Sequence, residues 1–106
     1  MSGIALVYAV FPDRENADRV ARHVIEQGLA ACANILAPCT SLYEWEGRLE
    51  ESNEIPVILK TTAARVDDLI DRIETMHPYE VPAILSWPAV RAPHPFAQWV
   101  NDRTHR

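Results

Sequence analysis

The segment TMHPYEVPAIL, residues 75–85, brings His77, Tyr79 and Glu80 close together in the chain. An imidazole can bind a metal ion or carry a proton near neutral pH, a phenol can donate a hydrogen bond, and a carboxylate can bind a cation. A histidine at the end of a helix can equally bond the last free carbonyls, and the other two can belong to an ordinary polar turn. The segment is therefore either a structural turn or one wall of a site.

Two cysteines, Cys32 and Cys39, are the other candidates for metal chemistry. Thiolates favour soft ions such as Cu(I) and zinc, but a buried free cysteine also behaves as a small hydrophobic residue. A zinc cage needs four convergent Cys and His ligands, and this chain has two cysteines, four histidines and no C-x-x-C. With so few cysteines we expect no disulfide framework, and we interpret both as thiols in a reducing compartment.

A group of glutamates surrounds the dipeptide at 46–47. Converging carboxylates bind hard cations, whereas a row of carboxylates on a surface is usually only solvated. Both interpretations stay open for this group, and solvation is the simpler one. Its members are Glu44, Glu46, Glu50, Glu51 and Glu54.

Composition favours one folded domain over residues 1–106 and excludes two classes of partner. The chain is 48% hydrophobic and 24% charged, with a net charge of −5, and Lys60 is its one lysine among scattered arginines. Nucleic-acid and anionic-membrane surfaces need clustered basic residues, so neither partner is expected. The N-terminal apolar run lacks a basic region and is too short to span a membrane, so we expect a cytoplasmic protein.

The first elements follow from hydrophobic periodicity. The continuous apolar run 4–11 predicts a strand buried on both faces. Asp13 is placed to cap a helix, whose apolar face repeats at helical spacing and includes Ile25. Gly28 ends that helix, because glycine adopts the left-handed C′ conformation at little cost.

The second half predicts a hairpin, a helix, a strand and a short last helix. Thr62 is a candidate N-cap for the helix, which ends near Met76 because Pro78 cannot donate a backbone hydrogen bond. The segment VPAILSWPAV is typical of a fourth strand. The order β-α-β-β-α-β plus a tail helix indicates an α+β, ferredoxin-like fold, with one antiparallel sheet and two helices on one face.

The middle hairpin is long for a domain of this size. Its arms, residues 31–45 and 48–61, meet at a turn at 46–47, and each extends roughly 45 Å at about 3.3 Å per residue. A compact chain of about 100 residues has a radius of gyration near 13 Å, so the tip should project beyond the helices. An unpaired, aromatic-bearing edge favours pairing with another chain, which predicts a homo-oligomer. The alternative is that Pro38 breaks the first arm and both arms are shorter.

Four segments, residues 28–35, 41–54, 58–61 and 77–84, resemble the CutA family of divalent-cation tolerance proteins. This resemblance implies a homotrimer similar in architecture to the PII signalling proteins, and an association with copper and other divalent metal ions. It implies a non-enzymatic protein that responds to metal ions, with no obligatory cofactor and with a protein partner still to be identified. The alternative that it implies is a PII-like trimer that binds a small molecule in its intersubunit clefts.

The resemblance also implies site residues. Cys32 matches the cysteine of the family's AAC-N motif, and with His77 it forms the predicted metal pair. Pro56 departs from the family pattern and puts the strand register around it in question, and Cys39 carries no family role. The predicted intersubunit cleft consists of Tyr43, Trp45, Lys60, Tyr79 and Glu80.

Enzyme chemistry finds little support in the motifs. The chain has no glycine-rich phosphate loop, no G-x-S-x-G and no evident Cys–His dyad. An acid–base pair of His77 and Glu80 is the remaining catalytic hypothesis. Without a nucleophile beside it, we predict that the protein is not an enzyme.

Overall fold

The computed structural model describes residues 2–104 of the chain. This part contains five strands and three α-helices. The strands are β1 (Ile4–Phe11), β2 (Cys32–Ile35), β3 (Cys39–Trp45), β4 (Arg48–Thr62) and β5 (Ile84–Ala89). The helices are α1 (Arg14–Glu26), α2 (Val66–Met76) and α3 (His94–Arg103). The predicted α+β class is confirmed, and the predicted four strands are five.

The sheet is antiparallel and its order is β2-β4-β1-β5, with β3 paired to the outer part of β4. β4 lies opposite β1 from Ile55 to Thr62, and opposite β2 from Val57 to Lys60. Beyond Ile55 its only partner among the described strands is β3. One 15-residue strand thus belongs both to the central sheet and to the projecting hairpin.

Both long helices pack on one face of this sheet. Alternate side chains of β1, namely Val7, Ala9 and Phe11, contact the buried stripes of α1 and α2. Ile25, predicted on the α1 stripe, is instead 38% exposed. The core cluster includes Val20 and Val24 of α1 and Leu69 and Ile73 of α2.

The opposite face of the sheet has no such cover over its centre, and we call it the open face. Residues opposite each other in an antiparallel pair point to the same side, so the register identifies its members. α3 packs only at one end, where Val100 contacts Ile4 and Ala31. The open face carries Leu6, Tyr8, Ile58, Leu85 and Trp87.

The predicted helix ends are confirmed for α1 and wrong for the start of α2. The carboxylate of Asp13 accepts the backbone N–H of Asn16 at 2.8 Å, and Gly28 has φ 72°. Thr62 ends β4, opposite Ile4, and precedes a 3₁₀ turn and not α2 itself; its side chain makes no capping bond. A single 3₁₀ turn, Ala63–Arg65, separates that strand from α2.

The first arm of the hairpin is interrupted at residues 36–38, as the prediction of a break at Pro38 requires, but pairing resumes in β3. The hairpin therefore stays long, and the described molecule measures 45 × 25 × 23 Å. The predicted turn is confirmed: Glu46 and Gly47 have φ of 51° and 79°. Two left-handed residues in a two-residue turn match the twist of the flanking strands.

Pro56 is accommodated inside β4 without a bulge in that strand. In an antiparallel strand, one residue directs its N–H and its carbonyl to the same neighbour. The carbonyl of Pro56 accepts the N–H of Leu36 at 2.9 Å, so its nitrogen also faces β2, where that strand ends. Its pairing with Val10 of β1 therefore loses no hydrogen bond, and the register against β1 is regular. Against the first hairpin arm the register shifts by one residue here, since Ile35 pairs with Val57 but Cys39 pairs with Glu54.

Within residues 2–104, no helix combines the length and the hydropathy that a membrane-spanning helix requires.

Replacing Leu69 by alanine tests the core assignment. The side chain is fully buried between α2 and the sheet, so Leu69→Ala should lower the free energy of unfolding by about 2–5 kcal/mol. The matched control Glu74→Ala changes an exposed residue of the same helix and should alter it by less than about 0.5 kcal/mol. Urea unfolding followed by circular dichroism, at one protein concentration, measures both. Equal losses in the two variants would contradict the packing described here.

Candidate functional site

A groove of about 430 Å³ lies between the projecting hairpin and the loop that follows α2. β3 and β4 supply one wall, and residues 78–83 supply the other. The side chains that decide its chemistry are Tyr43, Trp45, Glu50, Glu54, Tyr79 and Glu80.

Strand alternation explains why the hairpin presents these residues together. Tyr43 and Trp45 are two positions apart on β3, so both point to the same side. Glu50 lies directly opposite Tyr43, and Glu54 lies opposite Cys39 on that same side. Two aromatic rings and two carboxylates thus share one face of the ribbon.

A hydrogen bond joins the two walls. The hydroxyl of Tyr79 donates to Oε2 of Glu54 at 2.7 Å, and Glu54 is only 6% exposed. Burial raises the pKa of Tyr79, and the hydrogen bond and negative charge of Glu54 raise it further. Tyr79 is therefore neutral at physiological pH and holds the loop against the hairpin.

His77 anchors the same loop from beneath. Its ring is buried and stacks on Phe11 at a centroid distance of 4.6 Å. The N–H of Tyr79 donates to Nδ1 at 3.1 Å, so Nδ1 is the unprotonated nitrogen. Nε2 then carries the proton and donates to the carbonyl of Val10 at 2.7 Å. Both ring nitrogens are engaged, and a metal ion bound at either one would displace a hydrogen bond.

The side chain of His77 does not bond the last carbonyls of α2, which was the structural alternative for this residue. Its backbone N–H donates to the carbonyl of Glu74 at 3.4 Å, and its ring turns to the sheet instead. Arg19 of α1 takes that role, because its guanidinium donates to the carbonyl of Met76 at 3.0 Å. The ring of His77 positions the groove wall rather than the helix end.

Cys32 lies on β2, in register with Lys60 of β4, and is half-buried. Burial raises the pKa of its thiol, and the nearby ammonium of Lys60 offsets part of that effect. The group is therefore a thiol rather than a thiolate at neutral pH in the unliganded chain. A soft metal ion would have to displace its proton.

The two members of the predicted metal pair are not brought together within one chain. Cys32 shares its row of the sheet with Leu6 of β1, whereas His77 bonds Val10, four residues further along. Four residues of strand span roughly 13 Å at about 3.3 Å per residue. Across residues 2–104, no group of three or more His, Cys, Asp or Glu side chains is arranged to hold a metal ion.

Lys60 is the one predicted cleft residue that does not line the groove. Its ammonium donates to the side-chain oxygen of Asn34, and it lies six residues along β4 from Glu54. At about 3.3 Å per residue this separation is roughly 20 Å. The other four predicted residues, Tyr43, Trp45, Tyr79 and Glu80, do line it.

Sequence reasoning placed Glu50 and Glu54 in a solvated acidic group and did not assign either residue to the cleft. The signal was present for one of them: a turn at 46–47 pairs residue 43 with residue 50. Glu54 had no comparable signal, because its burial depends on Tyr79, which is distant in sequence.

The chain is similar to known proteins over almost its whole length. A family model described as CutA1 divalent ion tolerance protein matches residues 5–103. Protein CutA of Homo sapiens is 36% identical over 101 residues, which cover 95% of this chain and 56% of the human protein. The chain spans about half to two thirds of the length of the three vertebrate relatives that it matches.

Solved structures match over nearly the full length. The crystal structure of divalent ion tolerance protein CutA1 from Ehrlichia chaffeensis has a TM-score of 0.93 at 40% identity, and the match covers 100% of this chain and 99% of that one. The structure described as the periplasmic divalent cation tolerance protein CutA from Archaeoglobus fulgidus has a TM-score of 0.93 at 32% identity, covering 96% and 99%.

Removing the Tyr79 hydroxyl tests the bond between the walls. Tyr79→Phe leaves the buried Glu54 carboxylate without this donor and should lower the free energy of unfolding by about 1–3 kcal/mol. Tyr43→Phe is the matched control, because its hydroxyl contacts Ser52 at 3.3 Å on the exposed hairpin. That change should stay within about 0.5 kcal/mol in the same urea experiment.

The pH dependence supplies a second readout of the same variant. The native pKa of Tyr79 is raised above the ordinary value of 10.0, so its contribution to stability is complete below that pH. It is lost as the pH rises from there toward the native pKa. Wild type should therefore lose more stability than Tyr79→Phe between about pH 9 and pH 11. Parallel pH profiles would show that Tyr79 is not held neutral by this environment.

Proposed function

The chain belongs to the CutA1 divalent ion tolerance protein family, and from that premise we propose that it is a non-enzymatic, homotrimeric divalent-cation tolerance protein. In this proposal it responds to metal ions and binds copper or another divalent cation. The family match over residues 5–103 is the observation that carries the proposal. The compartment proposed is the cytoplasm, in keeping with two free thiols within the described chain.

Two surfaces support assembly into a trimer. On the open face, Leu85 and Trp87 of the edge strand β5 are 52% and 40% exposed, although both are large apolar side chains. At the hairpin, Leu42 and Leu49 are exposed on a ribbon whose outer part is only two strands wide. Covering such surfaces with another copy of the chain removes apolar area from water and therefore stabilises the assembly. A PII-like arrangement, in which three sheets face one another and the helices point outward, would bury both surfaces.

Cys32 is the candidate metal ligand that this assembly favours. It belongs to the same row of the sheet as Trp87, so its side chain lies on the open face. One chain offers a single thiol there, which is too few for a metal centre. In a trimer built through that face, sister copies supply the additional ligands, and thiolates suit Cu(I).

The absence of an enzymatic role is part of the proposal. The ring nitrogens of His77 are both committed to backbone partners, so the hypothesised pair with Glu80 lacks a general base. The thiol of Cys32 has a raised pKa, which is the opposite of nucleophile activation. Both observations favour binding over catalysis.

A second candidate function is supported by the groove. It holds four of the five predicted cleft residues, and Val10 and Glu54 place it beside the open face. In a trimer assembled through that face, a sister copy would border the groove and turn it into an intersubunit cleft. A PII-like small-molecule sensor would use this cleft.

Introducing a charged residue tests whether the open face is the interface between subunits. Trp87→Asp places a carboxylate where sister sheets would meet, and native mass spectrometry should show a change from three copies to one. Ile25→Asp is the matched control, because this residue is similarly exposed but belongs to α1. It should remain trimeric. A wild-type monomer, or a trimer that survives Trp87→Asp, would contradict this interface.

Copper titration tests the thiol. Under reducing conditions Cys32→Ser should weaken Cu(I) binding by at least about tenfold, since a hydroxyl is a poor ligand for a soft ion. Cys39→Ser removes the other thiol, in the hairpin, and should leave the affinity unchanged. Competition with a Cu(I) chelator measures both. Unchanged affinity in Cys32→Ser would exclude this residue as a ligand.

A further inference from the structure

The groove combines aromatic rings with carboxylates, and its described lining contains no lysine, arginine or histidine. Its volume of about 430 Å³ falls in the range that small-molecule sites occupy. Carboxylates in a recess with apolar walls focus a negative potential, which favours a cation. Size and charge together point to a small, positively charged ligand.

The same carboxylates are not arranged as a metal centre. A hard cation needs several oxygens at about 2.0–2.6 Å from one point. No three acidic, histidine or cysteine side chains in residues 2–104 converge in this way. In addition, Glu54 already accepts a hydrogen bond from the hydroxyl of Tyr79. Separated carboxylates suit a ligand whose charge sits on a larger organic body.

The aromatic side chains supply what such a body needs. A cation over the face of a Trp or Tyr ring is attracted by the ring quadrupole, and the ring also covers apolar surface. Tyr43 and Trp45 are about half-exposed in this chain, so they are accessible to a ligand. Glu50, directly opposite Tyr43 and exposed, places a countercharge beside them.

We infer that the groove binds a small organic cation, an ammonium or guanidinium group on a compact apolar body. Trp45 and Tyr43 contact the body and the cation, and Glu50 balances the charge. Tyr79 forms the opposite wall, held by Glu54 and His77 before the ligand arrives. The inference rests on the second candidate function above and adds the chemical class of the ligand.

A pair of probes with the same shape and different charge tests this class. 2-Phenylethylamine is a cation at neutral pH, and 2-phenylethanol replaces its ammonium by a hydroxyl. Calorimetric titration into the whole 106-residue chain should give the amine a dissociation constant in the millimolar range or below. The alcohol should bind about tenfold more weakly. Equal affinities, or no binding of the amine, would overturn the inference.

Adjacent glutamates on opposite sides of the ribbon provide the matched variants. Glu50→Gln removes one carboxylate charge from the groove. It should weaken binding of the amine about fivefold to tenfold, while binding of the alcohol stays constant. Glu51→Gln makes the same change one residue along, on the other face of the ribbon, and should leave the affinity for the amine within about twofold of wild type. An equal loss in both variants would mean that diffuse charge, not the groove, attracts the probe.

Trp45→Leu gives an independent readout of the aromatic contribution. It keeps an apolar side chain at an exposed position, so folding is preserved, and it should lower the affinity for the amine more than that for the alcohol. Subunit number and Cu(I) affinity are measured on the same samples. A trimer that binds Cu(I) but not the amine would remove the ligand class and leave the metal-tolerance proposal standing.

Discussion

The length of β4 is the constraint on which the rest of the structure depends. Fifteen residues of unbroken strand pair with β1 and β2 at one end and with β3 at the other. The central sheet can cover only the inner part, so the remainder must extend from the domain as a two-stranded ribbon. The groove exists because the loop after α2 closes against the base of that ribbon, through the bond from Tyr79 to Glu54.

Much of the fold could be predicted because local chemistry and tertiary structure agree. The apolar run of β1, the cap at Asp13 and the turn at Glu46 each have a signal within a few residues. Where the prediction failed, a distant partner decided the outcome. Thr62 has the chemistry of a cap, but pairing with Ile4 keeps it in the strand. The residues near Thr62 in the sequence do not reveal that Ile4, 58 positions away, pairs with it.

The residues of the candidate site differ in the same way: some follow from the local sequence, and others depend on distant contacts. Tyr43 and Trp45, which the resemblance implied, also agree with the local chain, because the predicted turn position fixes which hairpin residues share a face. The role of His77 was not, since its ring bonds Val10, 67 positions away, and stacks on Phe11. Lys60 belonged to the predicted cleft by resemblance alone, and the register places it with Cys32 instead. Long-range contacts, which residue type does not reveal, determined each of these outcomes.

The left-handed turn at the ribbon tip has a thermodynamic consequence for association. Glu46 and Gly47 close the hairpin in two residues, without a stretch of irregular chain. A mobile loop of similar length loses conformational entropy when a partner immobilises it, and that loss subtracts from the affinity. The ribbon has already lost this freedom during folding. Any surface that it meets therefore encounters a rigid shape, and selectivity derives from fit and not from adaptation.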